Sequence, residues 1–423
     1  MNNPSIDYSS YPDRGLLCVD MKSFYASCAA IDRGLDPLTC PLAVVADMNR
    51  RGSVVLAATP AMKKKYGIRT GSRLFEIPSA PEIVIVSAQM KKYLEVSTQV
   101  TNLFHKFVPK ERIHTYSVDE SFLEIGQNKG KFGIPEETAQ MILHELKETF
   151  HLDAAIGIGP NMLLSKLCLD LEAKKTGIAR WTYHDFHEKL WPVAPLSEMW
   201  GIGPRIEHRL NRMGIWSVGQ LAKFPLERLE KTFGVMGNQL YYHANGIDHS
   251  DPGAPIIHGQ LSYGKSQILM RDYHKSEEVK YVILEMCEEV ARRARRKGHA
   301  GRTISLGIGY SKSEGGGFHR SVTIEHPTSI TMDIYHACLT LFGRFYNGGV
   351  VRKISIALGN ITEDANVQLN LFDDGRDKKR DLGYVMDEIR ERYGQDMLLR
   401  AVSWTEAGTA LHRSRLVGGH YAE

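Results

Sequence analysis

The stretch IHTYSVDESFLEIG, residues 113–126, constrains the fold of this chain more than any other. Two short β-prone runs flank Ser117-Val118-Asp119-Glu120-Ser121, which predicts a hairpin whose turn presents two adjacent carboxylates. Neighbouring strand residues face opposite sides, so Asp119 and Glu120 converge on one point only if the turn bends the backbone there. A solvated turn would use the same residues. A third carboxylate separates the two readings: in LLCVDMKSFYAS the apolar run 16–19 ends at Asp20, as a buried strand does when it delivers a carboxylate to a sheet edge. Three carboxylates from two separate segments form a donor set for hard divalent cations. Magnesium takes oxygen ligands, and a pair of such ions can stabilise both the attacking and the leaving oxygen of a phosphoryl transfer.

At 423 residues the chain is ample for a buried core and predicts two to four domains. No apolar run approaches bilayer-spanning length, and MNNPSIDYSSYPDR lacks a signal peptide's apolar stretch, so a cytoplasmic location with no membrane partner is expected. Cys18, Cys28, Cys40, Cys168, Cys287 and Cys338 are scattered without a C-x-x-C, which points to neither a disulfide framework nor a zinc site. The net charge of +4 is too small to imply a nucleic-acid partner, and only its local distribution can do so.

The motif pair DMKSFYAS and YSVDESFLE resembles the palm signature of Y-family translesion DNA polymerases, nearest the bacterial UmuC-like branch, and later motifs extend the likeness over residues 14–373. The resemblance implies a template-directed, DNA-dependent DNA polymerase of low fidelity that adds dNTPs to the primer of a primer-template DNA, expected to be a monomer. It also implies an α+β multidomain right hand. The palm would take 1–24 and 91–180, the fingers 25–90, a helix-hairpin-helix thumb 181–247, a linker 248–257, a βαββαβ little finger 258–360, and a tail 361–423. Two Mg2+ ions would be held by Asp20, Asp119, Glu120 and the backbone carbonyl of Met21.

From Asp20 the chain passes to Ser23, a good N-cap, and a small-residue helix start. Alone, Tyr25 reads as a core aromatic; by resemblance it is the steric gate against a ribose 2′-hydroxyl, with Phe24 beside the triphosphate. Residues 41–46 and 53–58 read as strands and AMKKKYGIRTGSR as a basic helix. In the family a Tyr and an Arg of this segment touch the triphosphate. Those positions are Ala61 and Lys64 here, so Lys64 keeps the charge without arginine's bidentate fork and Ala61 brings no hydroxyl. Residues 91–108 and 136–150 carry helical spacing, and 154–159 reads as a strand. Gly157 and Gly159 are a weak phosphate-loop signal, and the resemblance assigns Lys166, in the otherwise apolar helix after them, to the β- and γ-phosphates.

In MWGIGPRIEHRL, Gly201 and Gly203 with Pro204 at a helix start predict a hairpin between two helices, which plain structure would also use; it resembles a helix-hairpin-helix, which grips DNA backbone through amides, with Arg205 and Arg209 beside the phosphates. Beyond the linker-like DHSDPGAP, elements alternate as strand 260–269, helix 276–297, strands 302–310 and 318–324, helix 329–346 and strand 351–359. Arg292, Arg293, Arg295, Arg296, Lys297 and Arg302 put six cations against no anion over 292–302, which favours salt-sensitive, sequence-independent contact with DNA. Gln368-Leu369-Asn370-Leu371-Phe372 reads as an edge strand by alternation. By resemblance it is a sliding-clamp peptide, with Gln368, Leu369, Leu371 and Phe372 making the contact. A helix at 381–393 and a strand at 397–404 are expected in the tail.

Two other readings compete. An accessory protein of the same fold would bind DNA and clamp but lack the carboxylates, and all three are present. A repair nuclease or glycosylase with a helical hairpin would carry a lysine or aspartate just after it, which is absent here.

Overall fold

In the computed structural model, residues 6–126, 133–253, 261–364 and 375–422 are described. The chain divides into two compact units, Met1–Pro255 with His420–Glu423, and Ile256–Gly419.

The first unit begins with β1 (Leu16–Met21) and α1 (Phe24–Ile31). Next come β2 (Leu42–Val45), β3 (Val55–Ala58), α2 (Pro60–Tyr66) and β4 (Val84–Ser87), which make a separate three-stranded sheet in the order β3-β2-β4. Its small core is Ala43, Val45, Val55, Ala58, Met62 and Ile68. Thr59 caps α2, its side chain accepting from Met62 N–H, with Pro60 in the first turn. The chain then returns through α3 (Met90–Phe104), β5 (Ile113–Thr115), β6 (Glu120–Glu124), α4 (Pro135–Phe150), β7 (Ala154–Gly159), α5 (Met162–Cys168), α6 (Lys174–Thr176) and β8 (Ile178–Arg180).

The main sheet runs β5-β6-β1-β7-β8, with β1 at its centre and antiparallel to both neighbours. Leu16, Leu17, Cys18 and Val19 are all fully buried, which explains the unbroken apolar run: this strand has no solvent face to mark with polar residues. Against β7 lies α5, all seven of its residues buried. A Cβ on Gly157 would stand 2.3 Å from Ser165 O and Leu169 N, and one on Gly159 2.4 Å from Ser165 N. The two glycines therefore let helix and strand backbones touch, and they do not form a phosphate loop.

Five short helices follow: α7 (Phe186–Lys189), α8 (Pro204–Asn211), α9 (Val218–Lys223), α10 (Leu226–Phe233) and α11 (Val235–Ala244). Their core of Leu210, Ile215, Val218, Leu221, Leu229 and Leu240 is continuous with Leu163 and Leu167 of α5.

The second unit is the expected βαββαβ: β9 (Tyr263–Tyr273), α12 (Ser276–Arg295), β10 (His299–Tyr310), β11 (Gly317–Thr328), α13 (Thr331–Phe345) and β12 (Val351–Glu363). The antiparallel sheet runs β11-β10-β12-β9, and its inward residues Ile304, Leu306, Ile308, Ile354, Ile356 and Leu358 meet Val282, Met286 and Ile334 of the helices. The helix α14 (Arg376–Tyr393) is ion-paired to α12, Arg295 to Asp387 at 2.7 Å and Arg390 to Glu288 at 3.1 Å. The strand expected at 397–404 is instead a bend and irregular chain leading into a 3-10 turn, Ala401–Trp404.

Candidate active site

Asp20 and Glu120 are cross-strand partners, the register of β1 on β6 ending at this pair. Met21 N–H donates to Asp119 O at 3.0 Å, and Tyr116 and Ser117 N–H both donate to Glu120 O. The turn is thereby bent back on itself, as convergence of Asp119 and Glu120 requires. All three carboxylates reach the same end of the sheet. Their side chains have different neighbours. Asp119 Oδ1 accepts from Ser117 Oγ at 2.7 Å. Glu120, only 8% exposed, accepts from Cys18 Sγ at 3.1 Å through Oε1 and from Lys166 Nζ at 2.9 Å through Oε2. Asp20 Oδ2 lies 3.0 Å from Lys174 Nζ, and Asp170 bridges Lys174 (2.8 Å) and Lys166 (3.2 Å).

Burial pushes the Asp20 carboxyl up; Lys174 opposes this, while Asp119 and Glu120 add to it. For Lys166 burial is the largest influence and lowers the ammonium's pKa, but the hydrogen bond and charge of Glu120, with Asp170 and Cys18, together outweigh it and the net direction is upward. Lys174 behaves alike, with Asp20 and Asp170 outweighing burial. Both lysines are therefore charged. Among the described residues no group of three His, Cys, Asp or Glu side chains stands assembled to hold a metal ion. The expected trio is present as donors at one place but is not closed: Asp119 is turned to Ser117 and an ammonium stands on Asp20.

Lys174 was not singled out from the sequence, although a signal existed. Lys166, Asp170 and Lys174 follow at successive i,i+4 steps. A π-helical stretch, Leu169–Ala173, lies between the two lysines, the kind of helix irregularity often found at functional sites. Lys166 is 6% exposed and held by two carboxylates, so the side chain assigned to phosphates is already engaged within the protein.

Ser23 does not cap α1. It sits at φ 51°, ψ 43° with no side-chain cap bond, and its hydroxyl instead accepts from Lys63 Nζ at 2.8 Å. Lys63 and Lys64 are both exposed, and it is Lys63 whose ammonium turns toward the site, where desolvation lowers its pKa against the pull of Asp20. Tyr25 stacks on the buried Tyr93, centroids 4.6 Å apart at 15°; burial, then Asp119, raises its pKa. Phe24 is 2% exposed, which leaves its backbone alone for any triphosphate contact.

Gly201 adopts φ +91° and, with Gly203 and Arg205, is exposed at the start of α8, as a backbone grip on phosphate needs. Arg209 is exposed too, and donates to Thr232 O at 2.7 Å while lying over the Phe233 ring. The basic cluster also needs correcting. Arg295 is 4% exposed and paired to Asp387, so it cannot meet DNA. Arg292 and Arg293 both pair with Glu289, one helical turn earlier. Arg296 lies 3.7 Å from Glu391, Arg302 donates to Ile324 O, and Lys297 is exposed. Counting charge over 292–302 alone missed anions from the same helix and from α14. Gln368, Leu369, Leu371 and Phe372 lie outside the described residues.

The impB/mucB/samB family matches residues 19–170, its C-terminal domain 260–371, and the DNA polymerase-iota thumb domain 197–248. The chain is 63% identical over 418 residues to "Putative UV-damage repair protein UvrX" of Bacillus subtilis (strain 168), covering 98% of this chain and 99% of the relative. It is 40% identical over 416 residues to DNA polymerase IV 2 of the same organism, covering 97% and 99%. The chain belongs to the Y family of DNA polymerases. Its architecture of palm, helix-hairpin-helix thumb and C-terminal little finger is that of the Y-family DNA polymerase chimera Dbh-Dpo4(243-245)-Dbh, with a TM-score of 0.62 at 22% identity over 84% of this chain and 99% of that one. It is a DNA polymerase, which implies binding of DNA and dNTPs, and the polymerases of this family are generally metal-dependent. Among the described residues no helix is long and apolar enough to cross a membrane.

Proposed function

We propose that this Y-family polymerase performs translesion synthesis in damage repair at a site made of Asp20, Asp119 and Glu120, with two Mg2+ ions as cofactor. The observation that carries this reading is the in-register pairing of Asp20 with Glu120, while Asp119 O holds Met21 N–H and a lysine ammonium stands on Asp20. Hard carboxylate oxygens at one sheet end, two of the three carboxylates already paired with a lysine ammonium, fit a divalent oxygen-seeking metal. Asp20, Asp119, Glu120 and the Met21 carbonyl would hold it, and a bound pair would neutralise triphosphate charge and lower the pKa of the primer hydroxyl.

The chain's own residues supply the rest. Lys174 and Lys63 are the cations facing Asp20, and with Lys64 they offer positive charge to the leaving pyrophosphate. The Tyr25 ring, backed by Tyr93, would exclude a ribose 2′-hydroxyl, a reading that the ring stack supports. The Gly201–Gly203 turn with Arg205, and Arg296, Lys297 and Arg302 in the second unit, would contact phosphates without reading sequence. We extend the reading to a cytoplasmic monomer that binds the sliding clamp through Gln368, Leu369, Leu371 and Phe372.

Primer extension by wild type beside Asp119→Ala, with and without magnesium, on intact and abasic templates tests it. Extension past the abasic position by wild type alone, and only with metal, is the expected result. A wild type that binds primer-template yet adds no nucleotide even with clamp supplied would overturn it.

A further inference from the structure

Glu120 differs from the other two carboxylates in having both oxygens taken by buried groups of the protein itself. Cys18, two residues before Asp20 on β1, shares a strand face with it and donates to Oε1 from 0% exposure. Lys166 reaches Oε2 from α5, with 8% and 10% side-chain exposure for the pair. A lysine buried this deeply beside a carboxylate is paired at all times, because either charge left alone would carry the full desolvation cost. The second partner of Lys166 is Asp170, which also holds Lys174 on the way to Asp20. One unbroken run, Cys18–Glu120–Lys166–Asp170–Lys174–Asp20, therefore joins two of the three carboxylates through protein groups alone.

We infer that Lys166 is a positioning residue, the built-in counter-ion of Glu120, which with the Cys18 thiol fixes that carboxylate's orientation and lowers the site's demand for cations. This rests on the polymerase site proposed above and gives Lys166 a role other than phosphate binding. Moving Lys166 to a triphosphate would strip Glu120 of its cation just where Asp20 and Asp119 stand close. The lysine that can leave its carboxylate at small cost is Lys174, whose side chain is 44% exposed. Cys18 acts in the same direction as Lys166 but more weakly, since a thiol is a poor donor and carries no charge.

The experiment compares wild type, Lys166→Met, Lys166→Arg and Cys18→Ala as full chains. Manganese affinity is measured by electron paramagnetic resonance without DNA or nucleotide, alongside kcat and the KM for dNTP. The expected result for Lys166→Met is manganese binding at least threefold tighter, kcat at least tenfold lower and dNTP KM within threefold, with Lys166→Arg restoring both in part. Cys18→Ala shifts manganese affinity the same way by a smaller factor. Raised dNTP KM with unchanged manganese affinity would return Lys166 to the phosphates and overturn the inference. Should Lys166→Met fail to fold, unchanged manganese affinity in Cys18→Ala overturns it. A wild type that binds manganese but does not extend primers counts against the polymerase site alone, because the manganese comparison still reads the Glu120 network.

Discussion

Lys265 shows how far one side chain's setting can depart from its type. It lies on β9 on the face shared with Gln267 and Leu269, and its ammonium is held at about 8, by burial first, then by Arg413, with Glu289 opposing. The folded value lies below the ordinary 10.5, so the fold favours the neutral amine. That contribution is present above about 10.5 and is lost as pH falls through 8, leaving the charged form as a burden at neutral pH. Lys265→Met is expected to stabilise the protein at pH 7 by at most about 3 kcal/mol. The gain should shrink between pH 8 and 10.5, checked by urea unfolding at several pH values. A gain independent of pH would mean that packing, and not charge, is responsible. Sequence alone marks Lys265 as one more solvated strand lysine; its neighbours come from α12 and from residue 413, distant in the chain.

Elements carry the second kind of information. The hairpin 113–126, the glycine turn at 201–203 and the βαββαβ order were legible because each is written in local pattern: alternation, turn residues and apolar period. The basic end of α12 was misread because its partners lie on another element. Arg295 Nε and Nη2 grip both oxygens of Asp387 on α14, and Nη1 donates to Ser329 O. Asp387→Ala leaves that guanidinium buried without a counter-charge and should cost about 3–5 kcal/mol. Replacing both, Arg295→Met with Asp387→Leu, should cost much less, and a chemical-denaturation double-mutant cycle measures the difference. Equal losses in the single and double variants would show the pair to be mere packing.

At the scale of the whole molecule, the proposed active site lies in the first unit and the α12 cations in the second. The proposed clamp peptide, residues 368–372, lies outside the described residues, and its prediction stands on sequence. Leu371→Ala with Phe372→Ala should leave primer extension by the polymerase alone unchanged and remove its stimulation by added clamp. Stimulation that survives the double substitution would reject residues 368–372 as the clamp contact.

The sequence by itself determined which residues could do chemistry and which elements would carry them: Asp20 at the end of an apolar strand, Asp119 and Glu120 at a turn, Tyr25 on the next helix. These are local properties, set by side-chain type, spacing and backbone preference within a few residues. Only the tertiary structure decided which cation answers which carboxylate. Lys166 went to Glu120 and Lys174 to Asp20, because α5 packs on the glycines of β7 and carries Lys166 to the carboxylate end of the sheet, while the π-helical stretch that follows brings Lys174, the first residue of α6, to the same end. An ion pair depends on distance and burial in three dimensions, and neither is encoded in the spacing of two charges along a chain.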